Sequence, residues 1–251
     1  MTDFLIADLH IQHARILEFG RSCMASNVDE HDEVLIKNWN SVVKSTDTVF
    51  VLGDVCFQGV ENVLKLKRCY GKKILIGGNH DVKKLLSPEF SEVFDRIEAV
   101  YEYRKNKWLL SHYPVHPYII DNERYTANIH GHMHQGFIRS SVVQNQLEDH
   151  RYMSVSADRI NFTPISVKDV EANLKERWRQ TGKLLFPPYE PIDYNAMWGH
   201  MIYIVAETKY IGSRVIFIQK KENDVQLDPA TWNILYKGKD ITKALELKYN
   251  D

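Results

Sequence analysis

The stretches TVFVLGD (residues 48–54) and KILIGGNHD (residues 73–81) decide how this chain is read. In each, a short apolar, β-branched run stops abruptly at glycine and then at residues that bind cations or move protons. A continuous apolar run of this length, closed by turn residues, is the signature of a strand buried on both faces. Three further stretches follow the same rule. FLIADLH (4–10) empties into Asp8, His10 and His13, WLLSHYP (108–114) into Ser111 and His112, and TANIHGHMH (126–134) into His132 and His134. Five strand ends presenting Asp, Asn or His imply that these side chains converge at one edge of an α/β sheet.

Between the strands the period changes. Asp29 to Val43 reads as a helix, with Val34, Leu35, Asn38 and Trp39 at three-to-four spacing and Asp29 as its cap. Val60 to Cys69 reads as a short helix packing through Val63, Leu64 and Leu66, and Val82 to Leu86 opens another. Tyr152 to Ser156 and Asn161 to Ile165 read as strands. Lys168 to Gln180 reads as a helix with Val170, Leu174 and Trp178 along one side and Gly182 as its stop. The proline-rich LLFPPYEPIDY (184–194) is the internal boundary, which predicts a domain over 1–183 and a C-terminal extension over 184–251. In the extension, Met201 to Glu207 and Arg214 to Gln219 read as strands, Glu222 to Asp224 as a turn and Thr242 to Leu247 as a short helix. Its role is a cap, an oligomer contact or a substrate-shaping element.

The 251 residues carry Lys+Arg 32 against Asp+Glu 33, a formal net charge of -1, so bulk electrostatics gives no case for nucleic-acid binding. The three cysteines, Cys23, Cys56 and Cys69, cannot all pair within one chain and include no CxxC, which favours a reducing compartment. The N-terminus reads as a first strand, not a signal peptide, and no stretch approaches about 18 uninterrupted apolar residues. The expectation is a cytoplasmic protein without a membrane span.

Carboxylates and imidazoles in this proportion suit borderline divalent ions. Asp8 and His10 are two apart, so on an extended segment they point the same way; His132 and His134 repeat that spacing, with Gly131 giving the backbone a tight path.

The ordered series DLH, GDV, GNHD, SHYP and GHMH resembles the calcineurin-like metallophosphoesterase family, whose motifs are D-x-H, G-D-x-x, G-N-H-[D/E], a lone H and G-H-x-H. The likeness covers Met1 to Ile165. HARI (13–16), the Arg21 region and LIKNWNSVV (35–43) are similar to the small bacterial and phage members. The resemblance implies a two-sheet α/β/β/α sandwich with two divalent ions at the strand ends, Mn²⁺ foremost and Fe²⁺, Zn²⁺ or Ni²⁺ as alternatives. Asp8, His10 and His134 would bind one ion, Asn79, His112 and His132 the other, and Asp54 would bridge them. His80 would face the phosphate as acid or charge stabiliser, with Asp81 orienting its ring by accepting from the other nitrogen.

The implied reaction is hydrolysis of a phosphate ester by metal-activated hydroxide. A small-molecule or nucleotide phosphodiester is favoured, because no arginine cluster adjoins the motifs to hold a monoester's extra charge. A phosphomonoesterase, a nuclease and a catalytically silent scaffold are the alternatives. His13, Arg21 and His116 are the candidate substrate contacts; for Arg21 a salt bridge to an acid is the competing reading. Gln12 stands where the family's first loop, D-x-H-x-G-H, has glycine, which puts the shape of that loop in question.

Overall fold

The computed structural model describes residues 1–121, 124–139 and 148–181, together with 225–227, 234–236 and 239–240. The chain divides into two compact units, Met1–Phe186 and Pro187–Asp251. In the second unit, β10 (Val225–Leu227), β11 (Ile234–Tyr236) and β12 (Lys239–Asp240) pair antiparallel in that order. The elements expected at 201–207, 214–219, 222–224 and 242–247, the proline-rich boundary and Gly182 lie outside the described residues.

The first unit is built on two sheets. One has the order β4-β3-β2-β1-β9, from β1 (Asp3–Ile6), β2 (Thr48–Val51), β3 (Lys72–Ile76), β4 (Arg96–Glu98) and β9 (Ile165–Ser166). The first four run parallel and β9 antiparallel to β1. The other sheet has the order β5-β6-β7-β8, from β5 (Val100–Tyr103), β6 (Trp108–Ser111), β7 (Ala127–His130) and β8 (Tyr152–Ser154), with only β5 antiparallel. Strand alternation splits the core in two. Phe4, Ile6, Val49, Val51 and Leu75 face a helical layer, against Leu35, Ile36 and Trp39 of α1 (Val28–Val42), Val63 and Leu66 of a 3₁₀ segment (Val60–Arg68), and Phe90 of α2 (Pro88–Val93). Leu5, Ala7, Phe50, Leu52, Ile74 and Ile76 face the second sheet, against Trp108, Leu110, Ala127, Ile129 and Met153, with Val170 and Leu174 of α4 (Val167–Thr181) joining them. Each Val, Leu, Ile, Phe or Met side chain so enclosed stabilises the sandwich by about 1.5–3 kcal/mol relative to exposure. This is the two-sheet α/β sandwich with flanking helices that the motif series implied. The N–H of Ala7 donates to Val155 (2.9 Å) and that of Ala157 to Ala7 (2.9 Å), so the end of β1 is stitched to the segment after β8, where the two sheets meet.

Several elements differ from expectation for local reasons. The cap of α1 is Asn27, two residues ahead of Asp29: its side chain accepts from Glu30 N (2.9 Å), while Glu30 reaches back to accept from Ser26 N (2.8 Å). Residues 79–86 form successive turns and not a helix. The next helix waits for Pro88, whose ring suits the first helical position and keeps the residue before it extended. The expected strand at 161–165 shrinks to β9, because Asn161 (φ 54°) and Phe162 (φ 55°) are left-handed. Trp178 is 52% exposed while Val170 and Leu174 are buried. Each four-residue step on a 3.6-residue helix drifts by about 40°, which carries the third position off the buried face.

Candidate metal centre

The strand ends bring two donor groups together: Asp8, His10 and His134 form one, and Asp54, His112 and His132 the other. Within each group one donor atom per residue lies within 4.8 Å of the others. Asp54 stands between them, its Oδ2 3.9 Å from His10 Nε2 and its Oδ1 3.5 Å from His112 Nε2. Asp8 also reaches across, accepting from the main-chain N–H of His132 (2.9 and 3.1 Å) and from the Ser156 hydroxyl (2.6 Å). Asp8, His10, Asp54, His132 and His134 all have left-handed backbone, φ between 48° and 65°. Each such residue costs about 1–3 kcal/mol and persists only where the surroundings fix it, as they do at functional sites.

Glycine allows the tight packing behind these residues. A Cβ on Gly131 would come within 2.6 Å of Ala7 Cβ and 2.9 Å of Asp8 Oδ2; one on Gly53 (φ +83°) would come within 2.4 Å of His112 Nδ1.

Proton positions show that the donor set fits cations. His112 Nδ1 lies 2.8 Å from the Leu52 carbonyl, which can only accept, so the ring proton sits on Nδ1 and Nε2 carries a lone pair. That lone pair faces Asn79 Oδ1 at 2.9 Å and the Asp54 carboxylate. Three electron-rich atoms therefore converge without a proton among them, an arrangement a divalent ion would neutralise. His134 Nδ1 donates to Asp158 Oδ2 (2.8 Å), which leaves Nε2 as the ring nitrogen that would meet a cation. In the same group His10 Nε2 is buried without a hydrogen-bond partner, although such atoms are almost always satisfied.

The electrostatics agree. Burial first, then the positive charge of Arg21, holds His10 well below the ordinary histidine range. Burial pushes His132 down to about 3, so both rings are neutral and able to ligate at pH 7. For His134 burial also works downward, but the bond to Asp158 outweighs it and the pKa stands raised. Burial, with Asp8 close by, raises Asp54.

His80 is half-exposed beside the centre, its ring Nε2 3.9 Å from Asp54 Oδ2 and its main-chain N–H donating to Asp54 Oδ1 (3.0 Å). His13 Nδ1 lies 3.0 Å from His10 Nδ1, and the His13 ring stacks on Phe57 (3.8 Å between centroids, 6° apart). Phe57 also packs against His10 and His80, and so forms an aromatic wall that the motif series did not reveal.

Two expectations need correction. Asp81 does not orient the His80 ring: its carboxylate is fully buried and accepts from the main-chain N–H groups of Asp54 (2.7 Å), Val55 (3.0 Å) and Gly78 (3.0 Å). It fastens the Asp54 loop to the glycine turn. Arg21 is wholly buried, paired with Asp158, and not presented to a substrate phosphate. His116 belongs to neither donor group, and its Nδ1 accepts from Tyr118 N (3.2 Å) at the start of α3 (Pro117–Asp121). Ser156 and Asp158 were missed; the only signal was the polar run after the β8 strand. Gln12 does take the left-handed conformation that glycine would supply (φ 58°), and its side-chain amide is held by Asp29 (2.7 Å) and Asp32 (2.9 Å). No helix among the described residues is long and apolar enough to cross a membrane.

No family profile matches the chain. It is 33% identical over 169 residues to an uncharacterized protein of Methanocaldococcus jannaschii, a match covering 65% of this chain and 86% of that protein. It is 31% identical over 164 residues to the gene 66 protein of Mycobacterium phage L5, covering 53% and 78%. The gene 66 protein of Mycobacterium phage D29 is 28% identical over 200 residues, covering 67% and 96%. Among solved structures, a protein of unknown function from Aquifex aeolicus superposes with a TM-score of 0.53 at 24% identity, over 68% of this chain and 98% of that one, which shows a shared fold.

Proposed function

Because the chain belongs to the calcineurin-like metallophosphoesterase family, with its two-site metal motif and α/β sandwich, we propose that it hydrolyses a phosphodiester of a small molecule or nucleotide. The observation that carries this reading is the pair of donor groups with the Asp54 carboxylate between them, one oxygen toward each. Two ions bound there would clamp the phosphate and supply an activated water, the established use of paired divalent metals. Mn²⁺ is the ion proposed, which the carboxylate donors suit, with Fe²⁺, Zn²⁺ and Ni²⁺, which the imidazoles suit, as alternatives.

Asp8, His10 and His134 hold the first position; Asn79, His112 and His132 hold the second; Asp54 serves both. Asp81 keeps Asp54 in place from below through the loop amides. His80 is the half-exposed polar group next to Asp54, set to meet the phosphoryl oxygens or the departing oxygen. Burial first, helped by the positive charge of Lys84, lowers its pKa despite the Asp81 charge that raises it. A neutral ring donating an N–H to the developing charge is therefore its resting role. His13, backed by Phe57, bounds the pocket on the first-metal side.

Preference for a diester is supported by the fate of Arg21: its guanidinium is spent inside the protein and offers nothing to a monoester's second charge. The test is metal-stripped protein resupplied with Mn²⁺ and assayed on bis-p-nitrophenyl phosphate and p-nitrophenyl phosphate, with Asp54→Ala as control. Faster turnover of the diester, abolished by D54A, is expected. Preference for the monoester would make the protein a phosphomonoesterase; no turnover of either in protein carrying two ions would remove the hydrolytic reading of these substrates.

A further inference from the structure

We infer that Arg21 and Asp158 are positioning residues that hold the first donor group, Asp8, His10 and His134, in its ligating shape; the inference rests on the dinuclear reading above. The guanidinium has five N–H donors, and each meets an acceptor. Its Nε donates to Asp158 Oδ1 (2.9 Å), and its Nη2 to Asp158 Oδ2 (2.7 Å) and to the Asp8 carbonyl (2.7 Å). Its Nη1 donates to the Leu9 carbonyl (3.1 Å) and to His31 Nε2 (3.1 Å). Arg21 is thus bonded to the backbone of the loop that carries Asp8 and His10, the two left-handed ligands of this group nearest in sequence. The same carboxylate that it grips fixes His134 Nδ1 at 2.8 Å, which settles the tautomer and turns Nε2 toward the cluster. One buried ion pair therefore controls all three members, the loop through its carbonyls and His134 through its ring.

The network is anchored on its far side. Because arginine only donates, His31 Nε2 accepts from it, and the ring proton on Nδ1 donates to Asp32 Oδ1 (3.1 Å). Asp32 in turn accepts from Gln12 N (3.2 Å), from the Gln12 amide (2.9 Å) and from Lys65 (2.8 Å). The ligand loop is held by Arg21 at Asp8 and Leu9 and by Asp32 at Gln12, and Arg21, His31 and Asp32 are each fully buried. Among the described residues the second group is set by other partners: His112 by Leu52 and Asp54 by Asp81. The consequence of loosening the pair is accordingly selective.

The experiment is stepwise Mn²⁺ titration of the metal-stripped full chain, followed by calorimetry and electron paramagnetic resonance, for the parent, Asp158→Asn and Arg21→Lys. The parent is expected to take two ions that give a spin-coupled spectrum. In D158N and R21K one of the two affinities is expected to fall about 10–100-fold, the usual effect of removing a partner behind a metal ligand, while the other stays unchanged. At Mn²⁺ between the two dissociation constants the variants then show an isolated-ion spectrum. Unchanged affinities in folded D158N, or equal weakening of both, would overturn the inference. A parent that binds no ions would instead defeat the dinuclear reading itself. Should both variants fail to fold, ring-¹⁵N NMR of the metal-stripped parent, with His134 assigned by its absence from H134N, decides: the Nδ1-protonated tautomer supports the inference and the Nε2-protonated one overturns it.

Discussion

Replacing Gly53 with alanine puts a methyl group where the first β2 turn passes behind the second donor group. Gly53 has φ +83°, and an added Cβ would stand 2.4 Å from His112 Nδ1, 2.6 Å from Gly78 Cα and 2.7 Å from Gly78 N. Left-handed backbone costs an L-residue about 1–2 kcal/mol, and overpacking against main chain that cannot swing away costs about 1–3 kcal/mol more. The sum is about 2–5 kcal/mol, and at about 2–4 °C per kcal/mol for a unit of this size the melting temperature should fall by about 4–20 °C. There is a second, local consequence. His112 must give up its 2.8 Å bond to the Leu52 carbonyl to make room, and with it the orientation of Nε2 toward Asp54 and Asn79. Calorimetric unfolding of the metal-free protein reads the first effect, and Mn²⁺ titration the second, as a weakened site next to an intact one. A melting temperature within about 1 °C of the parent together with two unaltered affinities would refute the reasoning, since the methyl group would then have found space that the packing denies it.

His80→Ala should lower turnover by about 10²–10⁴-fold with both ions retained, because His80 belongs to neither donor group; loss of metal along with activity, read by elemental analysis, would contradict its assigned place. Asp32 offers a pH test: burial raises its pKa, but the bonds from His31, Lys65 and Gln12 prevail and leave it lowered. A depressed carboxylate contributes stability that is full above its unfolded pKa of about 3.9 and is lost as pH falls through the folded value. Urea unfolding should therefore show parent and Asp32→Asn furthest apart near neutral pH and converging below about pH 4, and a gap independent of pH would count against it. Stripping the metals with a chelator should destabilise the chain by about 2.7 kcal/mol for each site relative to protein at a free-ion concentration 100 times that site's dissociation constant; identical melting curves would mean that the ions bind the unfolded chain as well.

What the sequence disclosed depended on how locally each feature is encoded. The first three parallel strands are enclosed on both faces, so they survive in the sequence as unbroken apolar runs, and the ligands stand out as the polar residues that end them. The strands Arg96–Glu98 and Val100–Tyr103 were not legible: RIEAVYEY mixes charge with apolar residues because the first is an edge strand and the second the edge of the other sheet. The pairing of Arg21 with Asp158 joins positions 137 residues apart, and no local pattern announces it. The donor fork of Arg21 suits a substrate phosphate or an acid equally, and its pairing with an acid in the interior becomes intelligible only once five acceptors are seen around it. Asp81 was misplaced for a related reason. Its neighbour in sequence is His80, but its nearest donors are the amides of Asp54 and Val55, brought to it by the pairing of β2 with β3.

The central claim, that two donor groups form one dinuclear centre, is tested most directly by crystallising the protein with Mn²⁺ and recording anomalous scattering at the manganese edge. The account predicts two peaks about 3.5–4 Å apart, one among Asp8, His10 and His134 and the other among His112, His132 and Asn79, with Asp54 between them. A single peak, or none at saturating Mn²⁺, would contradict it.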